Sequence, residues 1–155
     1  MGKARNKQFC YAYPRPAVTV DIVLVTREPK PRVLLIRRKH EPFAGMWALP
    51  GGFVDKDEAM EDAARRELSE ETRVRVAKLE QLQTFGDAGR DPRGWTISVV
   101  FFARVSASAP KAQGGDDAAE ASWHLLERLP PLAFDHAKIL ARARRRLRAK
   151  RETAY

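Results

Sequence analysis

The sequence predicts a single α/β (α+β) domain, a mixed sheet with helices packed on it. Three observations lead there. β-Branched apolar runs stand both before and after one amphipathic helix. A second helix closes the chain. The 155 residues suit one domain with a real core, and no internal repeat is visible.

The elements follow in order. "PAVTVDIVLVT", Pro16 to Thr26, is β-branched and largely apolar, the pattern of a buried strand. Asp21 inside it faces either a pocket or solvent. The Pro-rich "EPKPR" is a turn, and Val33 to Arg38, "VLLIRR", is a second strand. "HEPFAGMWALPGG" is a loop around a short strand at Trp47 to Leu49. A helix follows from about Glu58 to Thr72, where Asp55 with Glu58 resembles a capping box. Met60, Ala64 and Leu68, spaced i, i+4, i+8, form its expected core face. "VRVAKLEQLQTF" reads as strand, "GDAGRDPRG" as a long turn, and Trp95 to Val105 as the most strand-like run in the chain. Ser106 to Ala119 is a Gly/Ala/Ser/Asp loop, and "EASWHLL" a further short strand. A final helix starts near Asp135, which can cap it. The expected organisation is an N-terminal extension over 1–13, a domain over 14–140, and a basic helix end or tail over 141–155.

Composition narrows the function classes. No apolar run approaches the ~20 residues that span a bilayer, and the basic N-terminus lacks the apolar core of a signal peptide. The single cysteine, Cys10, cannot form an internal disulfide, which fits a reducing, cytoplasmic location. The net charge of +9 is local: Lys138 to Arg151 holds eight basic residues and no acid, and without it the balance is +1. Such a run can bind nucleic acid or an anionic surface. The absence of interleaved aromatics favours a solvated helix end, where cations complement the dipole.

The chemistry concentrates in "GGFVDKDEAMEDAARRELSEETRV", Gly51 to Val74. Glu67, Glu70 and Glu71 stand at i, i+3 and i+4, one face of a helix. Like charges at that spacing destabilise a helix by a few tenths of a kcal/mol per pair, so a function for them is to hold cations. Carboxylate oxygens suit Mg²⁺ or Mn²⁺. Glu58 lies about two turns away, and Arg66 can fix a neighbouring glutamate. The competing reading is a solvated acidic face. The preceding "LPGG" favours a site, because glycines let backbone approach a ligand closely.

Gly52, Glu58 and "RELSEE" together resemble the signature of the Nudix hydrolases, with every acidic position filled. "FAGMWALPGG", "GRDPRG" and "LAFDH" extend the resemblance over roughly residues 14 to 140. It implies a Nudix-type α/β/α sandwich with a mixed central sheet, and hydrolysis of a nucleoside diphosphate linked to another group. It also implies Glu67 and Glu71 as main metal ligands, Glu70 assisting, the Gly51 carbonyl completing the shell, Glu58 in the outer shell, and Arg66 orienting the glutamates. One position departs: Arg73 stands where the family has glycine. A non-glycine residue past a helix end costs about 1 kcal/mol, so the metal site is expected to survive.

"GRDPRG", "LAFDHAKIL" and "GGDDAAEASW" are most similar to the ADP-ribose pyrophosphatase branch, which makes ADP-ribose the leading substrate, with AMP and ribose 5-phosphate as products. Arg90 and Arg93 either pair with phosphates or the terminal ribose, or belong to a surface turn. Trp47 and Phe43 either stack on a base or pack in the core. A general base is expected among Asp116, Asp117 and Glu120, with Glu120 first. His136 is expected to make a structural hydrogen bond, and His40 and His124 lack partners for a metal set. The alternatives are a Nudix enzyme acting on oxidised dNTPs or RNA 5′ ends, and a non-catalytic ADP-ribose sensor. The short basic segment after Leu140 is too small for a separate DNA-binding domain. Relatives of this branch dimerise, and the Trp95 to Val105 strand leaves room for a homodimer.

Overall fold

Alternation along the central strands explains why they read as unbroken apolar runs. In the computed structural model, which describes residues 9–108, 111–115 and 117–152 (side chains to 149), β1 (Ala17–Thr26) sends Val20, Ile22 and Leu24 to one face and Val23 and Val25 to the other. Both faces are covered, so both sets are apolar.

The strands in chain order are β1, β2 (Arg32–Arg38), β3 (Trp47–Ala48), β4 (Gly51–Phe53), β5 (Glu80–Phe85), β6 (Thr96–Val105) and β7 (Ala118–Leu125). The helices are α1 (Met60–Thr72) and α2 (His136–Glu152). β1 pairs in parallel with β6 along its whole length, from Ala17↔Thr96 to Thr26↔Val105. The other pairings are antiparallel: β5 on β6, β2 and β4 on opposite ends of β1, and β3 and β7 on β2. The sheet is therefore mixed. Ala63, Ala64 and Leu68 of α1 pack on one face, and Ile139, Leu140 and Ala143 of α2 on the other. The result is an α/β/α sandwich.

Several expectations shift. α1 starts at Met60 rather than near Glu58, after an N-cap at Ala59 that makes no side-chain cap bond. The Asp55 N–H does donate to Glu58 Oε2 at 3.0 Å, but this bond closes a turn ahead of the helix. Met60 is 43% exposed, because it stands on the first turn, and Ala63 takes its place in the core. Only Glu80–Phe85 of "VRVAKLEQLQTF" forms a strand; residues 74–79 are irregular, with Val74 and Leu79 plugged into the α1-side core. β4 is absent from the sequence reading, because paired glycines signal a turn more strongly than a strand. Asp135 caps α2 through its carbonyl, which accepts from the Lys138 N–H at 2.8 Å, while its carboxylate is used elsewhere. The expected division at residue 140 falls inside α2, which continues unbroken. Residues 1–8 of the N-terminal extension and 153–155 of the tail lie outside the described residues. No described helix is long and apolar enough to cross a membrane.

Candidate active site

The β1–β4 pairing sets the Gly-Gly strand against the N-terminal half of β1, with Gly51 opposite Asp21. α1 then runs back over it. Gly52 is where this approach is tightest: a Cβ there would run into the Glu67 carboxylate. The same closeness brings the Gly51 N–H to Glu71 Oε2, at 2.9 Å.

Arg66 is the hub of the acidic cluster. Its Nε and Nη2 donate to the two Glu58 oxygens at 2.8 and 2.9 Å. Nη1 donates to Glu67 at 2.7 Å and to Glu70 at 3.3 Å, and Nη2 reaches the Phe53 carbonyl at 3.1 Å. The Arg66 hydrogen bonds hold the Glu58 carboxyl down at about 2, so Glu58 is always ionised and committed to Arg66. Glu71 is the opposite case. It is 6% exposed, and burial, reinforced by Glu67, Asp21 and Asp117, pushes its carboxyl up to about 8 against the single Gly51 hydrogen bond. Burial also raises the Glu67 carboxyl, despite Arg66.

Glu67 and Glu71 open into a cleft of about 350 Å³. Its floor is a buried network. Asp21 accepts from the Ser98 hydroxyl and lies 3.4 Å from His136 Nε2 and 3.9 Å from Arg90. Burial alone would raise the Asp21 carboxyl, but His136, Ser98 and Arg90 together hold it below its ordinary value. His136 Nδ1 accepts the Leu49 N–H at 2.9 Å, which ties α2 to the loop that carries Gly51. Arg90 forks onto Asp135 at 2.7 and 2.9 Å, and its side chain is 5% exposed.

A cationic and aromatic part completes the cleft. Arg93 is clamped by Asp91 at 2.7 to 3.2 Å, with its guanidinium 4.9 Å from the Phe53 ring and 5.3 Å from the Phe134 ring. Arg38 lies 4.9 Å from the same Phe134 ring. Burial and the neighbouring Arg93 lower the Arg38 pKa, an environment that favours an incoming anion.

The expected site residues divide accordingly. Glu58, Arg66, Glu67, Glu70, Glu71 and Gly51 are together, and Arg93 lines the cleft. Arg90 also borders it, but its fork is taken up by Asp135. Trp47 is turned away, edge-on to His124 at 4.3 Å, beside the α2-side core. Phe43 packs edge-on to Phe134 at 4.8 Å. Neither borders the cleft. Glu120 is exposed on β7 opposite Arg37 and also does not border it, whereas Asp117 does. Asp116 lies outside the described residues. Arg38, Asp91, Phe53 and Phe134 went unnoticed. The one available signal for Arg38 was its place at the end of an apolar strand.

Among the described residues no three acidic, histidine or cysteine side chains already stand as a closed metal cage; Arg66 occupies oxygens of Glu58, Glu67 and Glu70. The donor chemistry nonetheless fits a divalent cation. Two carboxylates destabilised by burial, with the Gly51 backbone beside one of them and space kept by Gly52, offer hard oxygens that a cation would relieve.

The fold and this acidic helix define a Nudix domain: the NUDIX domain model matches residues 15–143, and the chain belongs to the Nudix family, whose hydrolases use divalent metals. An ADP-ribose pyrophosphatase of Methanocaldococcus jannaschii is 44% identical over 138 residues, 89% of this chain and 79% of that protein. The ADPR responsive transcriptional repressor NtrR of Acinetobacter baylyi is 38% identical over 143 residues, 89% of this chain and 57% of the repressor. The solved NUDIX domain of Shewanella oneidensis NrtR, complexed with ADP ribose, matches with a TM-score of 0.81 at 39% identity, over 88% of this chain and 91% of that one.

Proposed function

We propose that this Nudix domain hydrolyses ADP-ribose to AMP and ribose 5-phosphate with Mg²⁺ or Mn²⁺. The observation that carries the reading is a single cleft holding both halves of the required chemistry: the half-buried Glu67 and the buried Glu71 for cations, and Arg38 and Arg93 for phosphate oxygens. Similarity to the archaeal pyrophosphatase selects ADP-ribose among pyrophosphate substrates.

Glu67 and Glu71 would hold the metal with the Gly51 carbonyl, and Glu70 would assist. When bound, the cation lowers the pKa of an attacking water and neutralises charge on the phosphate. Arg66, fixed by Glu58, orients the glutamates. Arg93 and Arg38 bind the pyrophosphate, and the exposed Phe53 ring offers a face for stacking. Asp117 is better placed than Glu120 to take the proton of water, since it borders the cleft.

The test is Mg²⁺-dependent hydrolysis across ADP-ribose, NADH, dinucleoside polyphosphates, normal and oxidised dNTPs and capped RNA. AMP release from ADP-ribose should dominate, with Asp117→Asn impaired by about 10²-fold and Glu120→Gln near wild type. Preference for a dNTP or capped RNA would assign a different Nudix activity. Tight ADP-ribose binding without turnover would assign a sensor.

A further inference from the structure

The C-terminal half of α2 borders a second cavity, of about 330 Å³, that shares no lining residue with the substrate cleft. Arg144 lies about 12 Å along the helix from His136 at the cleft. Pro31, Leu126 and Leu147 give the cavity apolar walls. Arg104 from β6, and Arg144 and Arg148 from α2, supply its cations, with Glu127 as the acid in the lining.

We propose that this cavity binds a small organic phosphate, independently of the substrate. A terminal nitrogen of Arg144 donates to the Leu126 carbonyl, but its Nε is buried and has no hydrogen-bond partner among the described residues. The Arg144 guanidinium thus keeps donor capacity that its protein contacts do not use. The neighbouring helix cations are engaged: Arg142 donates to Gln83 at 2.7 Å and Arg146 to Glu80. Neither of these two lines the cavity. Among the described residues, the side chains lining it carry three positive charges and one negative. A phosphomonoester brings about −1.5 to −2 at pH 7 and three acceptor oxygens, which matches that excess. Guanidinium forks suit phosphate oxygens, and the apolar walls suit an organic body.

The test is calorimetric titration of the full chain with phenyl phosphate, without divalent metal. Binding with Kd below about 1 mM is expected. Arg144→Gln and the exposed charge reversal Arg148→Glu should each weaken it at least about tenfold, while Mg²⁺-dependent turnover stays within about twofold of wild type. Benzoate, with the same ring and a single charge, should bind more weakly. Absence of phenyl phosphate binding up to about 10 mM, equal binding by wild type and Arg148→Glu, or tighter binding of benzoate would overturn the proposal. If Arg144→Gln does not fold, Arg148→Glu decides alone.

Discussion

Glu71 shows how one buried side chain couples protonation to stability. Its carboxyl sits near 8 when folded without metal, far above the ordinary value of a glutamate in an unfolded chain. The protonated form is therefore the one that folding favours. Its stabilising contribution is complete below the unfolded pKa and is lost as pH rises from about 4.5 to about 8. Metal-free protein should thus melt at progressively lower temperature across that window. Glu71→Gln should flatten most of that slope, leaving the smaller contribution of Glu67, and be more stable than wild type by about 2 kcal/mol at pH 8, as read by thermal denaturation in EDTA. Arg73 is a second residue with a legible cost. It takes the left-handed conformation, φ 60°, ψ 12°, and its N–H donates to the Ser69 carbonyl, as the displaced glycine would. Arg73→Gly should stabilise the fold by about 1 kcal/mol in urea unfolding and change turnover less than about threefold. A rise by orders of magnitude would mean that Arg73 distorts the site.

At the scale of elements, the site depends on two glycine approaches. At Gly52 the missing Cβ leaves room for the Glu67 carboxylate. Gly52→Ala should leave the fold intact but lower metal affinity at least about tenfold, measurable by Mn²⁺ titration. At Gly115 a Cβ would meet the Glu70 carbonyl, and here the loop finishes α1: the N–H groups of Gly115 and Gln113 donate to the Glu71 and Thr72 carbonyls at 3.0 Å. The Gly/Asp-rich loop, read from sequence as a connection, is thus the partner of the helix C-terminus. The Arg90–Asp135 fork is the other strut. Asp135→Ala removes both close hydrogen bonds of a buried guanidinium, leaving it only Asp21 at 3.9 Å, and should cost about 3 kcal/mol, checked by chemical unfolding. The acidic helix was legible because its carboxylates repeat at helical spacing on one element. Asp21, Arg38, Asp91 and the Phe134–His136 pair converge from four separate places. No spacing on a single element links them, although a lone Asp inside an apolar strand was a hint.

For the whole molecule, fold class was legible because it follows from element order and burial on both sheet faces, properties that survive errors in boundaries. The limits of α1 and β5 were not, since Met60 and the segment 74–79 obey tertiary packing rather than periodicity. Substrate roles were the least legible: Trp47 and Phe43 are apolar aromatics whose side of the sheet depends on the register of β2 with β3 and of the loop between them. At this scale cleft, core and acidic cluster form one unit, because His136 of α2 holds the Leu49 N–H two residues from Gly51. The central claim is that buried glutamates hold a cation over a pyrophosphate. Its most direct test is AMP release from ADP-ribose as a function of Mg²⁺, for wild type and Glu71→Gln at equal concentration. Wild type should show saturable Mg²⁺ dependence, and the variant a loss of about 10³-fold. Metal-independent release, or undiminished release by Glu71→Gln, would contradict the claim.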